Sequence, residues 1–229
     1  NDQYRYDYLT DKWQNDDAFA QLDWDHFYFT NRKNLYTIQN EGGVTGNDLT
    51  GNRAAYIVEE RRNDINRLDF SSIFSKDLNE NSKLVAGVNV MSSKTHNFKV
   101  VDDLLGADWW LDIDQFAERD NADDQYVIQS DIDNPNAASY VGDIFGYNYI
   151  SNINKANAFG QVEYKLPILD FFAAADLSYT EFWRTGNMRN GKFPLNSFGN
   201  SVKNKFYNYA VKAGLTYKIT GRNFLILNA

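Results

Sequence analysis

Cysteine is absent from this sequence of 229 residues. Without thiols the chain cannot form a disulfide scaffold, a cysteine-ligated zinc site, an iron–sulfur cluster or a thiol nucleophile. Proline and glycine are also scarce, at 3 and 14 residues, which excludes a linker or a low-complexity segment.

Positive charge is in short supply as well. Asp and Glu total 31 against 23 Lys and Arg, which gives a net charge of −8. Phosphate backbones are bound by clusters of Lys and Arg, so we expect no nucleic acid partner.

Long apolar runs are the third absence. Mean hydropathy is −0.58, and no stretch approaches the roughly 20 apolar residues of a membrane helix. Membrane strands are not excluded by this, because they are apolar only at every second position and keep the average low.

Aromatic residues are abundant, with 15 Tyr and 16 Phe, and they favour strands. The clearest period-2 segment is Asn208–Ile219, whose odd positions are apolar and include Tyr209 and Tyr217, while its even positions are small or polar. A first strand is predicted within Gln21–Thr30. Further strands are predicted at Leu68–Lys76 (with Ala54–Glu60 as its extension), Lys83–Ser92, Ala158–Leu166, Asp170–Trp183 and Phe224–Leu227.

The connections between these strands alternate in length. The short ones are Leu78–Ser82, Pro167–Leu169 and Thr220–Arg222, and the long ones are Asn31–Arg53, Ser93–Asn157 and Arg184–Lys205. Short turns at one end and long loops at the other are typical of outer-membrane barrels. The alternative is a soluble antiparallel β-sandwich, which also alternates.

Four stretches carry a family resemblance. They are "VVDDLLGADWWLDIDQFAERD" (Val100–Asp120), "GDIFGYNYISNINKANAFGQVEY" (Gly142–Tyr164), "LSYTEFWRTGNMRNGKFPLNSFGNS" (Leu177–Ser201) and "FYNYAVKAGLTYKITGRNFLILNA" (Phe206–Ala229). Together they resemble the barrel of TonB-dependent outer-membrane receptors. The resemblance is strongest to the Bacteroidetes type, near the SusC-like and carboxypeptidase-regulatory-domain branches.

This resemblance implies an all-β fold, namely an antiparallel up-and-down transmembrane β-barrel segment. Residues 1–229 would be part of a single barrel domain, with about seven strands of a barrel that has about 22 in such receptors. No plug and no TonB-contacting segment is recognisable, and the last strand stops at Ala229 without a partner. The sequence is therefore expected to be an internal piece of a longer chain.

The implied function is transport across the outer membrane of a Gram-negative bacterium. Such a receptor imports a small nutrient ligand (a glycan, a peptide or a metal chelate) with energy from TonB. Expected partners are outer-membrane lipid, TonB and the receptor's own plug through other parts of the chain, and a surface lipoprotein is left open. The alternative function is a soluble β-sandwich carbohydrate-binding or adhesin module, which would fold in water without detergent.

The long loop after residue 93 holds a dense acidic run. Asp112 and Asp114 begin like a calcium-binding EF-hand loop, but Ala117 replaces the required glycine and Asp123 replaces the final glutamate. No metal site is therefore predicted. The other interpretation is a short amphipathic helix that turns Trp110, Ile113, Phe116 and Ala117 inward.

Trp109, Trp110, Asp112 and Asp114 are the candidate ligand-binding residues, because an indole beside acids can stack on a sugar ring. Adjacent side chains diverge on a strand and on a helix, so at most one indole would face a ligand. The alternative, which this divergence favours, is that one indole anchors the loop. No nucleophile elbow, phosphate loop or metalloprotease motif occurs. We therefore expect no enzyme activity and no cofactor.

Overall fold

The computed structural model describes residues 2–121 and 123–229. The helices are α1 (Asp2–Asn15), α2 (Asp17–Ala20), α3 (Trp24–Asn31) and α4 (Gln115–Asp120), with a 3₁₀ turn at Glu41–Gly43. The strands are β1 (Leu35–Ile38), β2 (Leu49–Asn52), β3 (Val58–Asn79), β4 (Ser82–Asp103), β5 (Trp110–Leu111), β6 (Ala138–Ser139), β7 (Ile144–Lys165), β8 (Leu169–Gly186), β9 (Gly199–Asn200), β10 (Asn204–Thr220) and β11 (Asn223–Asn228).

Packing divides the chain into two compact units. Unit 1 comprises the residues up to Glu60 together with Lys99–Gly146, and unit 2 comprises Arg61–Phe98 together with Tyr147–Ala229. The assignment of the whole chain to one barrel domain stays a prediction.

The large sheet has seven antiparallel strands. Six follow one another in the order β11-β10-β8-β7-β4-β3, and the short β9 pairs with β8. The predicted antiparallel β-fold is thus confirmed at this level. Within the described residues the sheet does not close on itself, because β3 and β11 each have a neighbour on one side only.

The predicted strands from Leu68 onward are all present, but several are longer than the sequence pattern indicated. β4 runs on to Asp103 and β7 begins at Ile144, so the predicted loop Ser93–Asn157 was wrong at both ends. Both added segments mix apolar and polar residues on both faces, with Phe98 and Val101 in one and Phe145 and Ile150 in the other, so no clean period-2 alternation marks them. Their pairing shows instead in side-chain bonds, as between Ser92 Oγ and Asn154 Oδ1 at 2.9 Å.

The predicted first strand within Gln21–Thr30 is also wrong, since most of it is α3. Asp23 caps this helix by accepting a hydrogen bond from the His26 backbone N–H at 2.9 Å. At its end Asn31 is fully buried, and its Nδ2 donates to the carbonyls of Tyr56 and Leu104, both at 2.8 Å. Capping and this buried amide override the strand preference of the aromatic residues.

Unit 1 contains most of the buried apolar side chains. Two small ladders, β1–β2 and β5–β6, lie in it. One cluster surrounds Trp109 and the other surrounds Trp110. The first consists of Ile38, Trp109, Leu111, Ile113, Ala117 and Ile128, and the second of Ala54, Val101, Leu104, Trp110 and Phe145. The loop after β4 is therefore a packed element with its own core.

None of the helices in the described ranges is long and apolar enough to cross a membrane.

Candidate functional site

Both tryptophans of the predicted ligand site are buried. Trp109 is 1% exposed and Trp110 is 9% exposed, and they lie in the two different clusters of unit 1. The expected divergence of the two rings is confirmed, and both rings anchor the loop. Neither indole offers a ring face to a ligand, so the predicted stacking role is not part of the function proposed below.

Asp112 lies next to these clusters and is also buried. Its Oδ1 accepts a hydrogen bond from the Gly146 backbone N–H at 2.9 Å, and its carboxylate is also bonded to Ser130. Burial raises the pKa of Asp112, and the charge of Asp131 adds to this, while the hydrogen bonds and Lys99 oppose it. The side chain joins three segments of unit 1 and is not directed at solvent.

Asp114 has a local role as the N-cap of α4. Its Oδ1 accepts hydrogen bonds from the backbone N–H groups of Phe116 and Ala117, at 3.0 and 3.2 Å. The predicted helix exists, and Ile113 and Ala117 are buried as expected. Phe116 is exposed, so its predicted inward position was wrong, because the cap turns it away from the cluster.

No metal centre is formed by the residues that the structure describes, since nowhere among them do three or more His, Asp or Glu side chains converge. The four predicted site residues thus lie in one loop, but as core and cap residues rather than around a ligand space.

An open space does exist elsewhere in unit 1, beside β1. It is a cleft of about 640 Å³. Its lining consists of Tyr36, Thr37, Ile38, Gln39, Asn40, Gly43, Leu111, Gln125, Tyr126, Gln129, Pro135 and Asn136. Sequence reasoning missed these residues, because they come from segments almost 100 residues apart and follow no motif.

Unit 2 presents one strongly apolar sheet face, which we call the apolar face. The register places Tyr179 beside Tyr207, Leu177 beside Tyr209 and Ala175 beside Val211. On β7 the same face carries Ala156, Ala158, Val162 and Tyr164. Tyr164 stacks on Phe171 at one end of this band, and Tyr179 contacts Tyr207 at the other, each with 5.0 Å between ring centroids.

The opposite face, the polar face, carries a chain of hydrogen bonds across four strands. Ser71 Oγ donates to Asn89 Oδ1 at 2.7 Å, and Asn89 Nδ2 donates to Asn157 Oδ1 at 3.1 Å. Asn157 in turn donates to the carboxylate of Asp176. We call this chain the amide ladder.

Some rings also lie on the polar face, and two of them cover glycines. A Cβ at Gly87 would lie 2.5 Å from Phe159 Cε1, and one at Gly214 would also meet the ring of Phe172. Each ring therefore occupies the space that a side chain would take at the glycine on the neighbouring strand.

Unit 2 has almost no core of its own. Its residues 61–98 and 147–229 are all described, and Phe98 is the only one of them among the buried hydrophobic residues. Large apolar side chains such as Leu177, Tyr209 and Val211 are instead mostly exposed.

Comparison with known proteins adds no relative: no family model matches this chain, and no curated protein matches it.

Proposed function

We propose that unit 2 is part of the wall of an outer-membrane β-barrel of the TonB-dependent receptor kind, which imports a nutrient. The observation that carries the proposal is the two-sided character of the sheet. One face is apolar and bounded by tyrosines, and the other bears amides and charged groups. A wall between lipid and a wet lumen requires this division.

The dimensions of the apolar face suit a bilayer. On β10 it extends from Tyr207 to Tyr217, with Val211, Ala213 and Leu215 in between. Ten residues of antiparallel strand span about 34 Å, which corresponds to about 24 Å along the membrane normal at a tilt of 45°. The apolar band of outer-membrane barrels is about 25 Å tall.

At the end of the apolar face marked by Tyr179 and Tyr207, polar groups begin directly beyond the tyrosines. In the strand register Lys205 lies opposite Glu181. Glu181 Oε1 accepts a hydrogen bond from Asn154 Nδ2 at 2.9 Å. On this face, the next side chain after the tyrosine is charged on both β8 and β10, as at a membrane interface.

The missing core supports the same proposal. A soluble sheet must cover its apolar face with a second layer, as a β-sandwich does. Unit 2 buries only Phe98 among its hydrophobic residues and leaves this face bare. Lipid would cover it. The open edges at β3 and β11 would then need partner strands, because unpaired backbone groups are costly in hydrocarbon.

In this proposal the long loops of the chain face the cell exterior. TonB and a plug would act through other parts of the receptor, and recognition of the nutrient would belong to the loops. A surface lipoprotein could bind on the exterior side too. No bond chemistry is assigned to the chain.

A spin-label scan along Asn208–Ile219 tests the proposal. Because the sequence lacks cysteine, each position can be replaced singly by cysteine and labelled without background. In lipid vesicles we expect labels at odd positions such as Val211 and Leu215 to be accessible to oxygen. Labels at even positions such as Ala210 and Lys212 should be accessible to a water-soluble nickel complex.

The outcome that contradicts the proposal is equally clear. If the chain is monodisperse in water without detergent and both sets of positions are accessible to the nickel complex, the wall interpretation fails. The soluble β-sandwich module would then be the better hypothesis.

A further inference from the structure

In the β1–β2 ladder, hydrogen-bonded residue pairs alternate with pairs that share no backbone hydrogen bond, and this alternation determines which way each backbone group points. The Arg53 N–H donates to the Asn34 carbonyl at 2.9 Å, and Tyr36 is paired with Gly51 two residues further on. In an antiparallel pair the bonded positions alternate, so Tyr36 and Ile38 bond to β2. The N–H and C=O of Thr37 therefore point away from β2.

The side chains of Thr37 and Thr50 agree with this assignment. Thr37 is paired with Thr50, and their hydroxyl oxygens are 2.9 Å apart. Such closeness is expected at a pair without backbone bonds, where the two side chains approach most closely.

The two outer edges of this small ladder differ. At the edge of β2, Asn52 donates its backbone N–H to Asp108 Oδ2 at 2.7 Å and accepts from the Asp108 backbone N–H at 2.9 Å. Asp108 thus covers that edge at Asn52. At the edge of β1, within residues 2–121 and 123–229, a neighbouring side chain covers only Gln39, which follows the strand: its carbonyl accepts a hydrogen bond from Asn136 Nδ2 at 3.2 Å.

The cleft lies along this edge of β1 rather than over one of its faces. Its lining includes the consecutive residues Tyr36, Thr37, Ile38 and Gln39. Successive side chains of a strand point to opposite faces, so a space over one face would be lined by alternate residues. Lining by consecutive residues places the space where a further strand would lie.

The lining is uncharged, although the chain as a whole is acidic. It offers amides and two rings, those of Tyr36 and Tyr126, which are 42% and 74% exposed. The Arg53 guanidinium carbon lies 5.2 Å from the centroid of the Tyr36 ring. The Trp109 and Tyr36 rings pack edge to face, with 6.2 Å between their centroids. These two contacts hold Tyr36 in place. A charged ligand would find no counter-charge here, whereas a neutral peptide would find apolar rings and backbone partners.

We propose that unit 1 binds a short, uncharged, extended peptide, which adds as a third strand along β1. Main-chain hydrogen bonds to Thr37 supply the register, and alternate side chains of the peptide lie beside Tyr36 or Thr37. The four residues of β1 span about 13 Å, which limits the peptide to a few residues. That this peptide is the transported nutrient rests on the function proposed above, whereas the binding does not.

The probe is an acetylated and amidated hexapeptide of alternating serine and valine, titrated into the folded full chain by calorimetry. Two N-methylated versions serve as matched controls, one methylated at the first, third and fifth residues and the other at the second, fourth and sixth. Only alternate N–H groups of an added strand bond to its neighbour. We expect one version to lose binding by at least about tenfold and the other to bind as the parent does.

A pair of variants tests the edge of the protein. Thr37→Pro removes the backbone N–H that points from β1 towards the cleft. Thr50→Pro removes the backbone N–H of its partner residue on β2, which points away from the cleft. Both lose the hydroxyl contact between the two threonines. Proline is tolerated at an edge position whose N–H faces outward. Thr37→Pro should weaken peptide binding about tenfold, while Thr50→Pro leaves it unchanged.

Several results would overturn the proposal. These are absence of saturable peptide binding, equal effects of the two methylated peptides, and saturable binding of maltohexaose in competition with the peptide. If the proline variant fails to fold, the methylated peptides alone decide the question. A failure of the spin-label scan on β10 would leave peptide binding intact, so the two proposals fail separately.

Discussion

At the scale of single residues, Asp112 is a buried carboxyl group whose protonation state bears on the stability of unit 1. Burial raises its pKa above the ordinary 3.8, so ionisation costs the folded state more than the unfolded state. Between about pH 3.8 and the raised pKa the native state binds more protons, and stability therefore falls as the pH rises. Above the raised pKa the full penalty remains.

We therefore expect Asp112→Asn to remove this dependence. The amide oxygen can still accept from Gly146 N–H, and no buried charge remains. The difference in Tm between variant and parent should be small near pH 3.8 and grow in favour of the variant as the pH rises. Thermal unfolding followed by tryptophan fluorescence across this range measures it. A difference that does not change with pH would show that Asp112 is not the titrating group.

Asp114→Ala tests the cap of α4. Loss of the two bonds to Phe116 and Ala117 should lower the free energy of unfolding by about 1 kcal/mol. Asp120→Ala is the matched control, because this exposed carboxylate pairs with Arg119 on the same helix, and such surface pairs contribute about 0–1 kcal/mol. Denaturant titration of both variants gives the comparison. Equal losses would contradict a capping role.

Residue roles were only partly predictable from the sequence. The divergence of Trp109 and Trp110 follows from adjacency alone, and the acids near α4 suggested its helix. That both indoles are buried could not be foreseen, since their partners Ile38 and Phe145 lie far away in sequence. The cleft beside β1 was missed for the same reason.

At the scale of elements, the contact of β4 with β7 depends on Gly87. A Cβ here would be 2.5 Å from Phe159 Cε1 and 3.1 Å from the Ser72 carbonyl oxygen. Gly87→Val should therefore lower stability by about 1–3 kcal/mol through overpacking. Gly160→Val is the control, because nothing lies within 4 Å of its Cβ position.

A double variant separates the ring from the backbone as the cause. Replacing Phe159 by Ala in the Gly87→Val background should recover part of the loss, since the ring is the nearest obstacle. Unfolding free energies of the four proteins form a double-mutant cycle. A coupling energy near zero would mean that the ring and the glycine do not act together.

Element prediction succeeded where one face of a strand is apolar, as in Asn208–Ile219. It failed in the outer halves of β4 and β7, where apolar and polar residues mix on both faces. These halves pair partly through polar groups such as His96 and Asn148, 2.7 Å apart. It also failed at α3, where helix caps outweighed aromatic content. The sheet has seven strands, as predicted, but the set differs. The expected first strand is absent from it, and the short β9, which was not predicted, is included.

At the scale of the whole molecule, the two units should respond differently to their medium. Unit 1 buries two apolar clusters, whereas unit 2 buries only Phe98. In detergent we expect slow amide hydrogen exchange in both, at Val101 and at Val211 for example. When detergent is diluted, exchange should accelerate at Val211 while Val101 stays protected.

Hydrogen exchange with mass spectrometry resolves the two sets of peptides. Equal protection of both units in water would contradict the view that the sheet relies on its surroundings.

The amide ladder has a consequence for how the sheet assembles. Shifting one strand past its neighbour by a single residue moves every side chain to the other face. Such a slip of β7 would break its bonds to Asn89 and Asp176 at once and place Asn157 among the apolar side chains. The ladder therefore favours the native alignment of these strands, because a one-residue slip leaves its amides without these partners.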